Sequence, residues 1–376
     1  MASFNESIKN FNTTYYRSLL RIRMWTKWNS YQTKRFAESY WPAFFYYKEE
    51  RKSNLIVLKE LIYLFFKFKC LPFHYFRYSL YRKKFTFDRV LEFYPETLFY
   101  YKDLPKINSN YVLLDDKNIF ESIIKGSELS YPQTILKKKN GSSFDSNNNF
   151  ITSDEDLKFV LNLCKSNKIF AKPASYSSGG KGILLIEKIN NCWRIDGEIF
   201  TKSTLDNLVE DWIFQEGVTN CKQIAQIHNK SVNSFRVLTV YKKGIGAKVI
   251  YVSLKLGTSN SYTDNAHTGG LYVGVDYYTG QLTSTGYDEN LNEYNMHPNH
   301  DIPFKDIKIK NIQKVVEYAE KVGNIFSDLA VVGWDIALTD EGPSILEGNS
   351  SSGLTIFQRP FNGLKTLMDA IKPLVK

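Results

Sequence analysis

The chain has 376 residues, 49 Lys and Arg against 39 Asp and Glu, and a net charge of +10. That length accommodates two or three domains or subdomains, and a hydrophobic content of 43% is that of a globular protein with a large core. Cys70, Cys164, Cys192 and Cys221 form no Cys-x-x-Cys pair, which argues against a zinc knuckle or a disulfide framework. The polar start lacks a signal-peptide core, and no run of about 18 uncharged apolar residues predicts a transmembrane helix, so a cytoplasmic location is expected.

Residues 1–110 are dense in Tyr, Phe, Trp, Lys and Arg and poor in Gly. Residues 15–28 carry Arg17, Arg21, Arg23 and Lys27 among aromatic and aliphatic side chains. Residues 55–68 fit a helix with Lys59, Glu60, Tyr63 and Lys67 on one narrow face and apolar residues elsewhere. A helix so apolar is expected to be buried on most sides. Arg77 to Lys84 is strongly basic. The region reads as helical and as packing on the rest of the chain. Its charge suits an anionic substrate or the anionic inner face of the membrane, through a peripheral contact; a solvated charged face is the plainer alternative. No nucleic-acid motif is present, so no nucleic-acid partner is expected.

In residues 111–215, Gly141 to Asn149 is a polar, breaker-rich loop. Ser153 with Asp156 marks a helix start leading to Leu163. An apolar strand then ends at Lys172-Pro173, a Ser/Gly loop runs from Ala174 to Gly182, and a second strand follows over residues 183–186. Gly179, Gly180 and Gly182 let backbone N–H groups approach a ligand, and Lys172 and Lys181 bracket the loop with positive charge. The spacing is not that of a Walker A loop, and a strand follows where a helix would be required.

In residues 216–376, two strands flank Lys242–Gly246, another hairpin turns at Tyr278-Thr-Gly280, and residues 309–325 have helical spacing. The irregular order of strands and helices indicates an α+β fold. Residues 258–300 are polar and loop-like. Asp264, Asn265 and His267 are candidate substrate contacts there, against plain turn chemistry as the alternative. His297 and His300 read as turn residues in preference to a metal pair.

The sequence Val331-Val-Gly-Trp-Asp-Ile-Ala-Leu-Thr-Asp-Glu-Gly-Pro-Ser-Ile-Leu-Glu-Gly-Asn349 reads as two strands joined by a turn at residues 339–343. Folding it about residue 341 places Asp335 opposite Glu347, and Asn349 shares the face of Glu347. Paired carboxylates repel unless positive charge lies between them, and Asp, Glu and Asn oxygens suit Mg²⁺, which also takes phosphate oxygens.

Taken together, Lys172-Pro173, the Ser/Gly loop, Phe214-Gln-Glu-Gly-Val218, Arg236, Asp335 and Glu347-Gly-Asn349 resemble an ATP-grasp ligase. Ser231-Val-Asn-Ser-Phe-Arg-Val-Leu-Thr239, Thr268 to Gly280, His297-Pro298 and Gly333-Trp-Asp-Ile-Ala are similar to the sugar-transfer-associated branch of that superfamily. The resemblance covers roughly residues 110–360. It implies two α+β subdomains, residues 111–215 and 216–376, clamping ATP, with 1–110 as a helical, basic-aromatic addition. It also implies ATP and Mg²⁺ as cofactors. Lys117 and Lys172 would reach the phosphates. Ser177, Ser178, Gly179, Gly180 and Lys181 would close over them, and Gln215, Glu216 and Val218 would read the adenine. Asn220 or Gln223 would hold the ribose. Arg236 would contact the γ-phosphate, and Asp335, Glu347 and Asn349 would hold the metal. Lys255 stands where an arginine is expected and is a phosphate contact of weaker grip.

The implied reaction joins a carboxylate to an amine through an acyl phosphate, on a sugar acid (free, nucleotide-linked or lipid-linked) or an amino acid in surface polysaccharide biosynthesis. A phosphotransferase on the same fold, and a membrane- or glycan-binding protein with a non-catalytic ATP site, are the alternatives.

Overall fold

The computed structural model describes residues 30–175, 182–259 and 261–375. The chain divides into two compact units, Met1–Ile107 with Phe361–Lys376, and Asn108–Pro360.

The first unit is built from helices. Its helix α1 (Asn54–Phe68) begins at Ser53, whose hydroxyl accepts the Ile56 N–H, and stops at Lys69 in the left-handed conformation. Burial on most sides was the expectation from sequence, and the structure reverses it. Only Val57, Glu60 and Leu64 of α1 are buried, while Leu55, Ile56, Leu58, Ile62, Tyr63, Phe65 and Phe66 are exposed. The physical reason lies in the aromatic core beneath. Tyr75 and Tyr78 are fully buried, and their hydroxyls need acceptors. Glu60 accepts from Tyr75 Oη at 2.6 Å and from Lys52 Nζ at 2.8 Å. Glu96 accepts from Tyr78 Oη at 2.9 Å and from Arg77 at 2.6 Å. The carboxylate therefore turns inward, and the apolar face turns out. At the other end of the chain, Leu364, Leu367 and Ile371 are fully buried, and the Leu364 N–H donates to the Glu92 carbonyl at 2.8 Å. Residues 15–28, read as basic and aromatic, lie outside the described residues.

The second unit has the α+β architecture expected, with two seven-stranded sheets. One sheet contains β1 (Thr134–Lys139), β2 (Ser142–Asp145), β3 (Lys168–Pro173), β4 (Leu184–Ile189), β5 (Cys192–Ile195), β6 (Glu198–Ile199) and β7 (Trp212–Glu216), in the order β2-β1-β7-β3-β4-β5-β6. The other contains β8 (Ser234–Lys242), β9 (Gly246–Leu256), β10 (Leu271–Val275), β11 (Leu282–Tyr287), β12 (Glu293–Tyr294), β13 (Val331–Thr339) and β14 (Gly342–Asn349), in the order β12-β11-β10-β9-β8-β13-β14. Helix α2 (Lys117–Lys125) is capped by the Asp116 carboxylate, and α3 (Asp154–Asn162) opens with a capping box between Ser153 and Asp156. Helix α4 (Ile312–Ile325) packs against β8 and β9, burying Val315, Ala319 and Val322.

Two local expectations need correction. Residues 141–149 are not all loop, because Ser142–Asp145 pairs with β1 across a turn at Asn140-Gly141, and only 146–149 remain irregular. The turn between β13 and β14 is tighter than 339–343: Thr339 pairs with Gly342, so Asp340-Glu341 alone make the corner and Pro343 lies in the edge strand.

Candidate active site

The hairpin β13–β14 is where the two acids meet. Near the turn Ile336 opposes Ile345, a register that would set Asp335 against Leu346. An extra residue at Leu346 shifts the pairing, and Asp335 comes to oppose Glu347, with Gly333 opposite Asn349. The carboxylate pair expected from sequence is thus present, produced by a bulge as well as by the turn. Two glycines make the packing around it feasible. A side chain at Gly348 would meet the Trp334 ring at 2.6 Å and Leu114 at 2.9 Å, and one at Gly333 would collide with Ser352.

Strand β8 lies on the other side of β13 and places Arg236 opposite Asp335. The guanidinium grips the carboxylate with two nitrogens, Nε to Oδ1 at 2.5 Å and Nη2 to Oδ2 at 3.0 Å. Lys255, on β9, adds a third bond, Nζ to Asp335 Oδ2 at 3.0 Å, and pairs with Asp264 at 3.2 Å. Burial would raise the Asp335 carboxyl, but Arg236 and Lys255 outweigh it and hold the group well below the usual carboxylate range. Burial likewise works to lower Lys255, and Asp264 with Asp335 reverse this and hold the ammonium above its ordinary value.

The motif Ser231-Val-Asn-Ser-Phe-Arg236 gains a residue-by-residue explanation. Asn233 is fully buried and ties four segments together. It accepts from Ser231 Oγ at 2.8 Å and the Gly257 N–H at 3.1 Å, and it donates to the His228 carbonyl at 2.6 Å. Its backbone N–H donates to Asn220 Oδ1 at 2.7 Å. Ser234, two residues before Arg236 and so on the same face, donates to Asp264 Oδ2 through both backbone N–H and hydroxyl. Asp264, which lines the cleft, is thus bonded to both Lys255 and Ser234.

Lys172 lies on β3 of the other sheet, and Lys117 opens helix α2 beside it. The Lys117 N–H donates to the Ala174 carbonyl at 2.9 Å, which ties the first lysine to the end of β3. Lys172 Nζ donates to Gln215 Oε1 at 3.2 Å. Burial pushes both ammonium groups down, and for both Glu347 is the strongest opposing charge. Between the sheets lies a cleft with apolar walls from Phe170, Ile183, Val218 and Leu346 and polar groups from Lys172, Gln215, Lys255, Asp335 and Glu347.

The remaining expected residues fall out as follows. Glu216 and Val218 line the cleft, and the Glu216 and Gly217 N–H groups donate to the Gln133 and Lys168 carbonyls. Asn265 lines the cleft, whereas His267 lies at the surface, 3.4 Å from Glu289. Asn220 and Gln223 do not suit ribose binding, because their amides are committed to Asn233 and to Lys308 and Lys310. His297 is buried on the Gly257 carbonyl, at 2.7 Å, beside His228. Ser177, Ser178, Gly179, Gly180 and Lys181 lie outside the described residues. Ser352 (3.4 Å from Arg236) and Tyr262 (bonded to the Ile183 carbonyl) were not foreseen, and neither sits in a spacing that announces a role.

Glu347 and Asn349 offer oxygen donors of the kind a hard cation takes, while both Asp335 oxygens are bonded by Arg236 and Lys255. The Glu347 carboxylate and the Asn349 amide adjoin each other, with Asn349 Nδ2 3.3 Å from Glu347 Oε1, and Asp335 stands opposite Glu347. Among the described residues no cluster of three His, Cys, Asp or Glu side chains forms a closed cage. Mg²⁺, which keeps waters and takes phosphate oxygens, needs no such cage.

Comparison with known proteins places these features. No curated protein matches the chain. Among solved structures it is similar to an ADP complex of the N5-carboxyaminoimidazole ribonucleotide synthetase purK (11% identity, 64% of this chain and 46% of that one, TM-score 0.36). It is also similar to the D-alanine-D-alanine ligase from Coxiella burnetii (8% identity, 70% and 57%, TM-score 0.41) and the VanG D-Ala:D-Ser ligase from Enterococcus faecalis (13% identity, 70% and 62%, TM-score 0.38). The chain spans roughly half to under two thirds of the length of these three. Residues 100–372 match the family described as sugar-transfer associated ATP-grasp. That match covers most of the chain, which carries two antiparallel sheets and the Asp335–Glu347 pair and belongs to the sugar-transfer-associated ATP-grasp family.

Proposed function

We propose that the chain is an ATP-dependent carboxylate–amine ligase that forms an amide through an acyl phosphate. The observation that carries this reading is that Arg236 and Lys255 both bond Asp335, which stands opposite Glu347, and that Lys172, Lys255, Asp335 and Glu347 line one cleft with apolar walls. A substrate carboxylate is ionised at neutral pH and needs no base to attack a phosphate. The need is for charge neutralisation and alignment. Lys172 supplies positive charge from β3 and Lys117 from the start of α2, and Arg236 and Lys255 supply it from the second sheet. The ion pairs of Asp335 with Arg236 and Lys255 fix those two cations in place before substrate arrives. Glu347 and Asn349, with Asp335, would hold Mg²⁺, which would add further neutralisation of phosphate charge. In the second half-reaction the amine forms the C–N bond and phosphate leaves, so the product is lighter than acid plus amine by one water.

The acid is proposed to be a sugar acid, free or linked to a nucleotide or lipid, or an amino acid, and the setting surface polysaccharide biosynthesis. Family membership, with Lys172 and Lys255 in the cleft lining, supports this. The partner reading extends to a peripheral contact of residues 1–110 with the inner face of the cytoplasmic membrane.

The test is ADP release from Mg²⁺-ATP against uronic acids, nucleotide-linked uronic acids and amino acids crossed with simple amines, with product mass read in parallel. ADP appearing only with one acid–amine pair, with the one-water mass difference, is expected. A stable phosphorylated product without an amine would replace the ligase by a phosphotransferase. Failure to bind Mg²⁺-ATP would remove the catalytic reading.

A further inference from the structure

Helix α1 is amphipathic in the wrong sense for a water-facing helix. Its one acid, Glu60, is 5% exposed, while Leu55 is 62% and Phe66 72% exposed. Leu55, Leu58, Ile62, Phe65 and Phe66 fall on one side of the helix, opposite the Val57–Glu60–Leu64 stripe. The exposed charges of α1 and its C-cap are Lys59, Lys67 and Lys69, all cations. An open groove lined wholly by apolar side chains, Phe36, Leu71, Phe73 and Phe76 among them, continues the face. Trp41, Phe45 and Tyr46 are exposed in the same unit.

The charge of the chain is concentrated in the same part. Residues 1–107 hold 20 of the 49 Lys and Arg but only 9 of the 39 Asp and Glu, whereas residues 108–376 hold 29 and 30. The entire positive excess therefore belongs to the part that exposes the apolar helix. An apolar face rimmed by lysines and exposed aromatics, in a strongly cationic unit, complements a surface that is negative outside and apolar just beneath. Among the described residues no helix is long and apolar enough to cross a membrane, so the face would lie in the interface without spanning it.

We propose that the outer face of α1, centred on Leu58, Ile62 and Phe66 and flanked by Lys59 and Lys69, docks on an anionic lipid surface. This deepens the membrane contact given under the proposed function and is independent of the ligase chemistry. Apolar burial supplies adhesion, and the lysines supply attraction to anionic headgroups.

The test is sedimentation of the full chain with vesicles of phosphatidylcholine, with and without phosphatidylglycerol, at low and high salt. Binding to the anionic vesicles, weakened by salt, is expected. Leu58→Asp with Phe66→Asp should weaken it by roughly tenfold or more, and Lys59→Glu with Lys69→Glu should abolish the preference for anionic lipid. All four side chains are exposed, so far-UV circular dichroism and Mg²⁺-ATP binding should not change, and loss of ATP binding in the wild type would count against the ligase alone. The proposal is overturned if the wild type ignores anionic vesicles at low salt, or if both double variants bind as the wild type does. It is equally overturned if the apolar variants turn a dimer into a monomer while leaving vesicle binding intact, because the face would then be covered by a second copy of the chain.

Discussion

Two side chains decide most at the residue scale. Glu347 is the acid that acts most strongly on both Lys117 and Lys172, and it stands opposite Asp335. Glu347→Gln keeps the shape and removes the charge, and should lower ADP release by roughly a hundredfold or more with an unchanged circular dichroism spectrum. Unchanged turnover would show that the metal assignment is wrong. Asp335 instead links stability to pH. Its folded-state pKa is depressed, so its contribution is fully present above the unfolded carboxyl value of about 3.9 and is lost as pH falls toward the folded value. The stability gap between wild type and Asp335→Asn, read by urea unfolding, should therefore be constant from neutral pH to about pH 4 and shrink below it. A gap that narrowed near neutrality would contradict the ion pairs described.

At the element scale, the hairpin β13–β14 shows how backbone and chemistry are coupled. Gly348 sits between two of the proposed ligands because the Trp334 ring and Leu114 leave no room for a Cβ. Gly348→Ala should destabilise the chain by about 1–3 kcal/mol, measured by urea unfolding, because those neighbours are packed and buried. It should also shift Glu347 and Asn349 and weaken Mg²⁺-dependent ADP release more than ATP binding. The same hairpin illustrates what spacing can and cannot convey. The pairing of Asp335 with Glu347 followed from folding the sequence about its turn, yet the turn lies half a residue away and the bulge at Leu346 restores the register. No pattern in Ile345-Leu-Glu347 announces that bulge, because its cause is packing across the sheet.

At the scale of the whole molecule, the C-terminal residues belong with the first unit. Leu364, Leu367 and Ile371 are fully buried, and Lys106 Nζ reaches the Val375 carbonyl at 3.1 Å. A chain ending at Pro360 should lose amide protection in residues 54–107 while keeping it in β8, β9 and β13, as read by hydrogen exchange. Uniform loss of protection would mean that the two units unfold as one.

The sequence by itself determined the α+β class, most strands of the second unit, and the opposition of Asp335 and Glu347. Alternating polarity, turn residues and charges embedded in apolar runs are local signals. Tertiary structure alone decided the rest. It committed Asp264 to holding Lys255 and used Asn220 and Gln223 as braces, because a buried polar group takes whichever partner the fold brings within reach. It also turned Glu60 inward and the leucines and phenylalanines of α1 outward. A helical wheel gives the faces of a helix but not which face meets the core, and here Glu60 meets the buried Tyr75 hydroxyl and Lys52 on the inner side.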